Sequence, residues 1–212
     1  MRIVRVAGTP DALLLNETAV CVESGGTIIF PTDTVYGIGC AAENDGAVES
    51  IFAAKRRPDE KPLAVHLASP DLADRYARRI SPAARALVEN FWPGPLTIIV
   101  ERRDGVCKAA ARGGATIALR CPDDEACRAI LSATGPLAAT SANISGAPPY
   151  DGGDDLSALP EATLAIIAGR TKQRRESTVL DCSADTVRLV RQGALEAADV
   201  AKAIAGIAPF AR

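Results

Sequence analysis

The 212-residue chain contains a single histidine, His66, and that scarcity removes several chemistries at once. A zinc site of the His–Cys kind needs clustered ligands. The six cysteines (Cys21, Cys40, Cys107, Cys121, Cys127 and Cys182) include no Cys-x-x-Cys pair. No metal site built from protein side chains is therefore expected. A Ser–His–Asp triad would have only His66 to use, and no Gly-x-Ser-x-Gly elbow accompanies it. The absence of a Gly-x-x-x-x-Gly-Lys-Ser/Thr loop excludes a P-loop site. No stretch approaches the ~20 apolar residues of a membrane span. The N-terminal Met-Arg-Ile-Val-Arg-Val lacks the apolar core of a signal peptide. An excess of one charge is missing too. The 24 basic residues face 26 acidic ones, for a net charge of -2, whereas a general nucleic-acid binder carries a strong positive excess. The expectation is a cytoplasmic protein with no membrane contact and with reduced, mostly buried thiols.

At 48% hydrophobic the chain can bury a core without staples. It carries no repeat or low-complexity tract, and one domain over 1–212 is expected. Strand-type runs are predicted at 2–6, 27–30, 62–68, 95–101, 116–120, 137–140, 164–168, 177–181 and 186–190. A capping residue followed by proline predicts helices starting at Thr9-Pro10, Ser69-Pro70 and Ser81-Pro82. Asn44 is placed to cap a helix through Ala54, with Ala47, Val48, Ile51 and Phe52 on its buried face. Further helices are predicted at 123–134 and 195–205. Adjacent strands at 91–120 and 164–190 break a clean βαβ alternation. The pattern predicts an α+β layered fold, a twisted mixed β-sheet flanked by helices.

Gly37-Ile38-Gly39-Cys40-Ala41-Ala42 loosely matches a dinucleotide fingerprint, but no helix start follows directly, and the match is set aside. Several other segments carry polar chemistry. Phe30 to Gly37 runs from a strand into Thr32, Asp33, Thr34 and Tyr36, which reads as either a capped turn or a polar pocket at a strand end. Lys55-Arg56-Arg57-Pro58-Asp59-Glu60-Lys61-Pro62 places four cations in seven residues. They read as a solvated helix end or, stiffened by two prolines, as a phosphate site. Arg120 ends a strand, and Ala139-Thr140-Ser141-Ala142-Asn143-Ile144-Ser145-Gly146 is a small-residue, hydroxyl-rich turn; each reads as either a structural feature or a ligand contact. Glu176-Ser177-Thr178 precedes a strand, Arg191 ends the next, and residues 170–175 form a basic loop that also reads as solvated.

In this order the pieces resemble the threonylcarbamoyl-AMP synthase family, with its YrdC-like (YrdC/RibB-like) fold. The matching residues are Pro31-Thr32-Asp33-Thr34-Val35-Tyr36-Gly37, Lys55-x-Arg57-Pro58, Pro62-Leu63-x-Val65-His66, Phe91-Trp92-Pro93-Gly94-Pro95-Leu96-Thr97, Ser141-Ala142-Asn143-x-Ser145-Gly146 and Glu176-Ser177-Thr178-Val179. The resemblance implies a sheet around a concave pocket. It also implies an enzyme that joins L-threonine, bicarbonate or CO2 and ATP, with Mg2+, into threonylcarbamoyl-AMP and pyrophosphate. That product would pass to a tRNA threonylcarbamoyltransferase making N6-threonylcarbamoyladenosine, and a weak contact with tRNA itself is a further expectation. Threonine would lie near Thr34, His66, Arg120, the Ala139 backbone and Ser177. ATP would lie near Lys55, Arg57, Lys61, Thr116, Ser141, Asn143, Pro149 and Arg191, with Lys55, Arg57, Ser141 and Asn143 taken as catalytic. Alanine at Lys55 or Arg57 is expected to stop the reaction and spare the fold.

Lys61, Arg174 and Pro149-Tyr150 depart from the family pattern. The chain stops soon after its last predicted helix, so any lid is expected from within. The alternatives are a carbamoyl-adenylate-forming carbamoyltransferase, whose acylphosphatase-like and zinc regions have no counterpart here, and a non-catalytic RNA-binding module.

Overall fold

The computed structural model describes residues 1–58 and 60–211; Asp59 of the cationic segment lies outside them, as does Arg212. The elements in chain order are β1 (Arg2–Arg5), α1 (Ala12–Glu23), β2 (Ile28–Phe30), β3 (Gly37–Ala41), α2 (Asp45–Lys55), β4 (Ala64–His66), a 3-10 turn (Pro70–Leu72), α3 (Ala73–Tyr76) and β5 (Ala77–Arg79). They continue with α4 (Pro82–Phe91), β6 (Leu96–Arg102), β7 (Thr116–Arg120), α5 (Glu125–Thr134), β8 (Leu137–Ser141), β9 (Leu164–Ile167), β10 (Thr178–Asp181), β11 (Val187–Arg191), α6 (Ala197–Ala203) and β12 (Phe210–Ala211).

The strands form one mixed sheet in the order β1-β9-β2-β3-β8-β4-β7-β6-β10-β11-β12, with β5 on β6. Parallel and antiparallel pairings alternate irregularly along it, as the adjacent strands in the sequence require. Both faces are covered, which explains why the central strands read as continuous apolar runs. In β2, Ile28 and Phe30 join a cluster with α1 and α5, while the intervening Ile29 joins a larger cluster on the other face. β9 divides likewise, with Leu164 and Ile166 on one side and Ala165 and Ile167 on the other.

Helix starts follow local capping. Asn44 Oδ1 accepts from Ala47 N at 3.0 Å, and Ser81 Oγ accepts from Ala84 N at 3.2 Å with Pro82 in the first turn. α1 begins later than Thr9-Pro10 implies, because Asp11 takes the capping role through Leu14 N at 2.9 Å. Ser69-Pro70 opens only a 3-10 turn and one helical turn. The chain then pairs Ala77 with Arg102 as β5. The strand at 62–68 shortens to three residues. The predicted closing helix is shorter than expected, and β12 follows it along β11.

The clearest departure is β3, at the glycine segment set aside above. Its Ile38 and Cys40 point into the larger cluster, while Gly37 and Gly39 lie under the ring of Phe30. A Cβ at either glycine would stand 3.0 Å from that ring. These glycines serve close strand packing rather than a cofactor turn.

All six cysteines are free, five of them buried and Cys21 half-buried. Burial pushes the Cys40 and Cys182 thiols up to about 12, so neither is a ready nucleophile. Among the described residues no helix is long and apolar enough to cross a membrane. None of their His, Cys, Asp and Glu side chains form a group able to hold a metal.

Candidate functional site

Small side chains in the middle of the sheet leave room on one face. Parallel β4 and β7 pair Ala64 with Ala118, and antiparallel β8 pairs Ala139 with Ala64 and Ser141 with Gly37. Above this row opens a cavity of about 630 Å3, within the ~300–1,000 Å3 of small-molecule sites. Ala139 also belongs to the α1–α5 cluster, so the cavity lies on the face those helices cover farther along.

The β4–β7 register places His66 directly beside Arg120 at one end. Period-two alternation then brings Thr116, Ala118 and Arg120 onto the cavity face. Arg120 is 4% exposed and held on three sides. Nε donates to Gly94 O at 3.3 Å, Nη1 to Thr34 Oγ1 at 2.7 Å, and Nη2 to Asp33 Oδ1 at 2.5 Å. Gly94 presents that carbonyl from a turn tied back by its own N–H to Cys121 O at 2.8 Å. Asp33 is 2% exposed, and its second oxygen has no partner. Burial raises its pKa against the opposing pull of Arg120.

His66 packs edge-on against Phe30, with centroids 6.1 Å apart, and its Nδ1 is buried without a partner. Burial, then the charge of Arg120, hold its pKa down at about 3. The imidazole is therefore neutral at pH 7 and offers hydrogen bonding, not charge. Ser177 Oγ lies 2.8 Å from Thr97 Oγ1 between this end and the next.

The other end is cationic. Arg57 donates to Lys61 O at 2.8 Å and Pro62 O at 2.9 Å, bonds that hold these two residues beside it. Arg191 at the end of β11 contacts Glu176 Oε1 at 2.9 Å and Ser177 O at 3.0 Å. Gly193 permits this approach, because a Cβ there would fall 2.2 Å from the Ser177 backbone. Burial, then the neighbouring Arg191, lower the Arg57 pKa, and Glu176 opposes them. Arg57, Arg191 and Glu176 thus share one field.

Of the residues expected from sequence, Thr34, Arg57, Lys61, His66, Thr116, Arg120, Ala139, Ser141, Ser177 and Arg191 all line this cavity. Lys55, Asn143 and Pro149 stand outside its wall. Lys55 is 1% exposed, and its ammonium contacts Ser141 O, Asn143 O at 2.5 Å and Asn143 Oδ1 at 3.2 Å. Those three acceptors match its three N–H donors. Asn143 Nδ2 in turn donates to Ile144 O and Ala147 O. Lys55 therefore clamps the turn that presents Ser141, and the expectation that its removal spares the fold is corrected. Pro149 precedes Tyr150, whose ring packs 4.9 Å from that of cavity-lining Tyr36.

Asp33, Thr97 and Glu176 also shape the site, although the resemblance implies no role for them. Each lay inside a matched motif, and only the folded chain reveals their partners. The basic loop is engaged rather than free. Arg170 and Arg174 reach Asp151 at 3.1 and 2.8 Å, and Thr171 Oγ1 bonds Thr34 O at 2.7 Å.

A family model described as "Telomere recombination", covering Sua5, YciO and YrdC, matches residues 21–193. The threonylcarbamoyl-AMP synthase of Pyrococcus abyssi is 36% identical over 189 residues, 88% of this chain and 56% of that protein. The enzyme of the same name from Bacillus subtilis is 35% identical over 185 residues, 85% of this chain and 54% of that protein. The chain thus spans about half the length of these relatives. The structure of P. abyssi Sua5 complexed with L-threonine superposes with a TM-score of 0.89 at 32% identity, over 99% of this chain and 62% of that one. The chain belongs to the Sua5–YciO–YrdC family.

Proposed function

We propose that the protein is an L-threonylcarbamoyladenylate synthase, a nucleotidyltransferase that supplies tRNA threonylcarbamoylation. The observation that carries this reading is the polarity of one continuous cavity. A fixed arginine with hydroxyl and neutral imidazole neighbours stands at one end, and Arg57, Lys61 and Arg191 stand at the other. An amino acid suits the first end, where Arg120 meets its carboxylate and His66 or Thr34 its hydroxyl. A triphosphate suits the second.

The threonine ammonium loses a proton, the amine adds to bicarbonate-derived CO2, and a second N–H proton leaves to water to give an N-carboxylate. One oxygen of that carbamate forms a bond to the α-phosphorus of ATP. The bond from that phosphorus to the α–β bridging oxygen breaks, and pyrophosphate leaves with its electron pair. No enzyme nucleophile is needed, in keeping with thiols that burial keeps protonated. The protein's part is to align the carbamate with phosphorus and to neutralise charge. Mg2+ would enter as part of the nucleotide substrate. The acids lining the cavity among the described residues are Glu60 and Glu176, and Glu176 already meets Arg191. Phosphate oxygens would therefore supply most of the metal's ligands.

Pyrophosphate release from ATP, Mg2+ and bicarbonate, with and without L-threonine, tests the reading. Release that needs both threonine and bicarbonate is expected. Release without threonine supports carbamoyl transfer instead. No release from folded protein, with salt-sensitive RNA binding, supports the RNA-binding alternative.

A further inference from the structure

We propose that Asp33, which does not itself line the cavity, is the positioning residue that presets Arg120 for the carboxylate of the amino-acid substrate; the inference rests on the threonine-binding reading above. Arg120 has five N–H donors. One each goes to Gly94 O, Thr34 Oγ1 and Asp33 Oδ1. Two remain, and no described residue accepts from them. A fork with two free donors at a cavity wall is matched to a carboxylate.

Asp33 binds in a way that leaves the fork unspent. It uses one oxygen, and its second, Oδ2, is buried without a partner. An ion pair serving stability alone gains from a second parallel contact. Here that contact is forgone, and Arg120 keeps donors for a ligand. The Asp33 loop is itself fixed from behind. Asp33 O accepts from Gln173 N at 2.8 Å, Thr34 O accepts from Thr171 Oγ1 at 2.7 Å, and Thr32 Oγ1 accepts from Thr34 N at 3.1 Å. Without Asp33 the guanidinium would be a buried cation lacking a fixed counter-charge, free to rotate toward other acceptors.

The test is calorimetric binding of L-threonine, L-threoninamide and MgATP to the full chain, as wild type and as Asp33→Asn. The amide keeps the amine, hydroxyl and methyl and loses the carboxylate. Wild type is expected to prefer L-threonine. In Asp33→Asn, L-threonine binding falls on the order of 10- to 100-fold, amide binding changes little, and MgATP binding stays within about two-fold. The preference for carboxylate over amide therefore collapses. Should Asp33→Asn not fold, Asp33→Glu keeps the charge, displaces it by one methylene, and carries the same expectation. A variant that keeps the wild-type preference, or weakens all three ligands equally, overturns the positioning role. Wild type showing no preference for L-threonine over the amide overturns the threonine reading, and this proposal with it.

Discussion

Each end of the cavity holds an arginine–carboxylate pair, and the two pairs sit in different surroundings. At the Arg120 end, Arg120 and Asp33 have 5% and 2% of their side chains exposed. At the rim, Arg191 and Glu176 keep 42% and 36% exposed. Water screens the rim pair and makes it exchangeable, so that under the proposed reading phosphate oxygens would replace Glu176 on Arg191 at little cost. The buried pair cannot exchange, because an ion left alone there faces the full desolvation penalty. One end is therefore a rigid template and the other an adaptable funnel, and each kind of variant should behave accordingly.

The largest effect is expected at the template. Arg120→Ala should abolish threonine-dependent turnover and also lower unfolding free energy by about 3–5 kcal/mol, since Asp33 is left buried and unpaired. Urea titration checks this, and unchanged stability would erase the distinction between the two ends. Next comes the clamp behind the wall. Lys55→Met leaves carbonyls of the 141–147 turn unsatisfied and should cost about 2–4 kcal/mol, with activity and thermal midpoint falling together. Arg57→Ala, two positions on and at the rim, should instead lose pyrophosphate release on the order of 100-fold while changing stability by less than about 1 kcal/mol. Equal behaviour of the two variants would place both residues on the same side of the cavity wall.

A smaller effect is expected at Glu176. Glu176→Gln should tighten nucleotide binding by about two- to five-fold at low salt, and the gain should vanish at high salt. Calorimetry at two ionic strengths measures it.

The last effect is on pH dependence and emerges only in acid. His66 titrates near 6.5 when unfolded and at about 3 when folded. Between those values the unfolded chain binds the extra proton. The His66 contribution is therefore complete above about 6.5 and is lost as pH falls, by up to ~1.4 kcal/mol per pH unit. Asp33, with a raised folded pKa, acts with the opposite sign. The difference between wild type and His66→Gln isolates the histidine. A flat difference between pH 4 and 7 would mean that His66 already gains its proton when folded.

Much of the fold was legible from local signals. Asn44 and Ser81 capped where their side chains can reach back to the third N–H, and 116–120 formed a strand over the residues predicted. β3 was not legible, because Gly37 and Gly39 carry no periodicity of their own and make sense only under Phe30, supplied by the neighbouring strand. The division of the cationic segment was hidden for a similar reason. Lys55 and Arg57 stand two positions apart, yet one points behind the wall and the other to the cavity. That turn follows from Arg56 adopting a left-handed φ of 50° at the helix end.

What the sequence by itself determined is the chemistry at hand: one histidine, cations and hydroxyls at strand ends, and motifs in a family order. Those are properties of residue type and spacing, which local physics reads directly. What only the tertiary structure decided is which groups share a charge. Asp33 meets Arg120 across 87 positions, Lys55 meets Asn143 across 88, and Thr97 meets Ser177 across 80. Such pairs are set by strand order in the sheet, and no local pattern records which distant strands become neighbours.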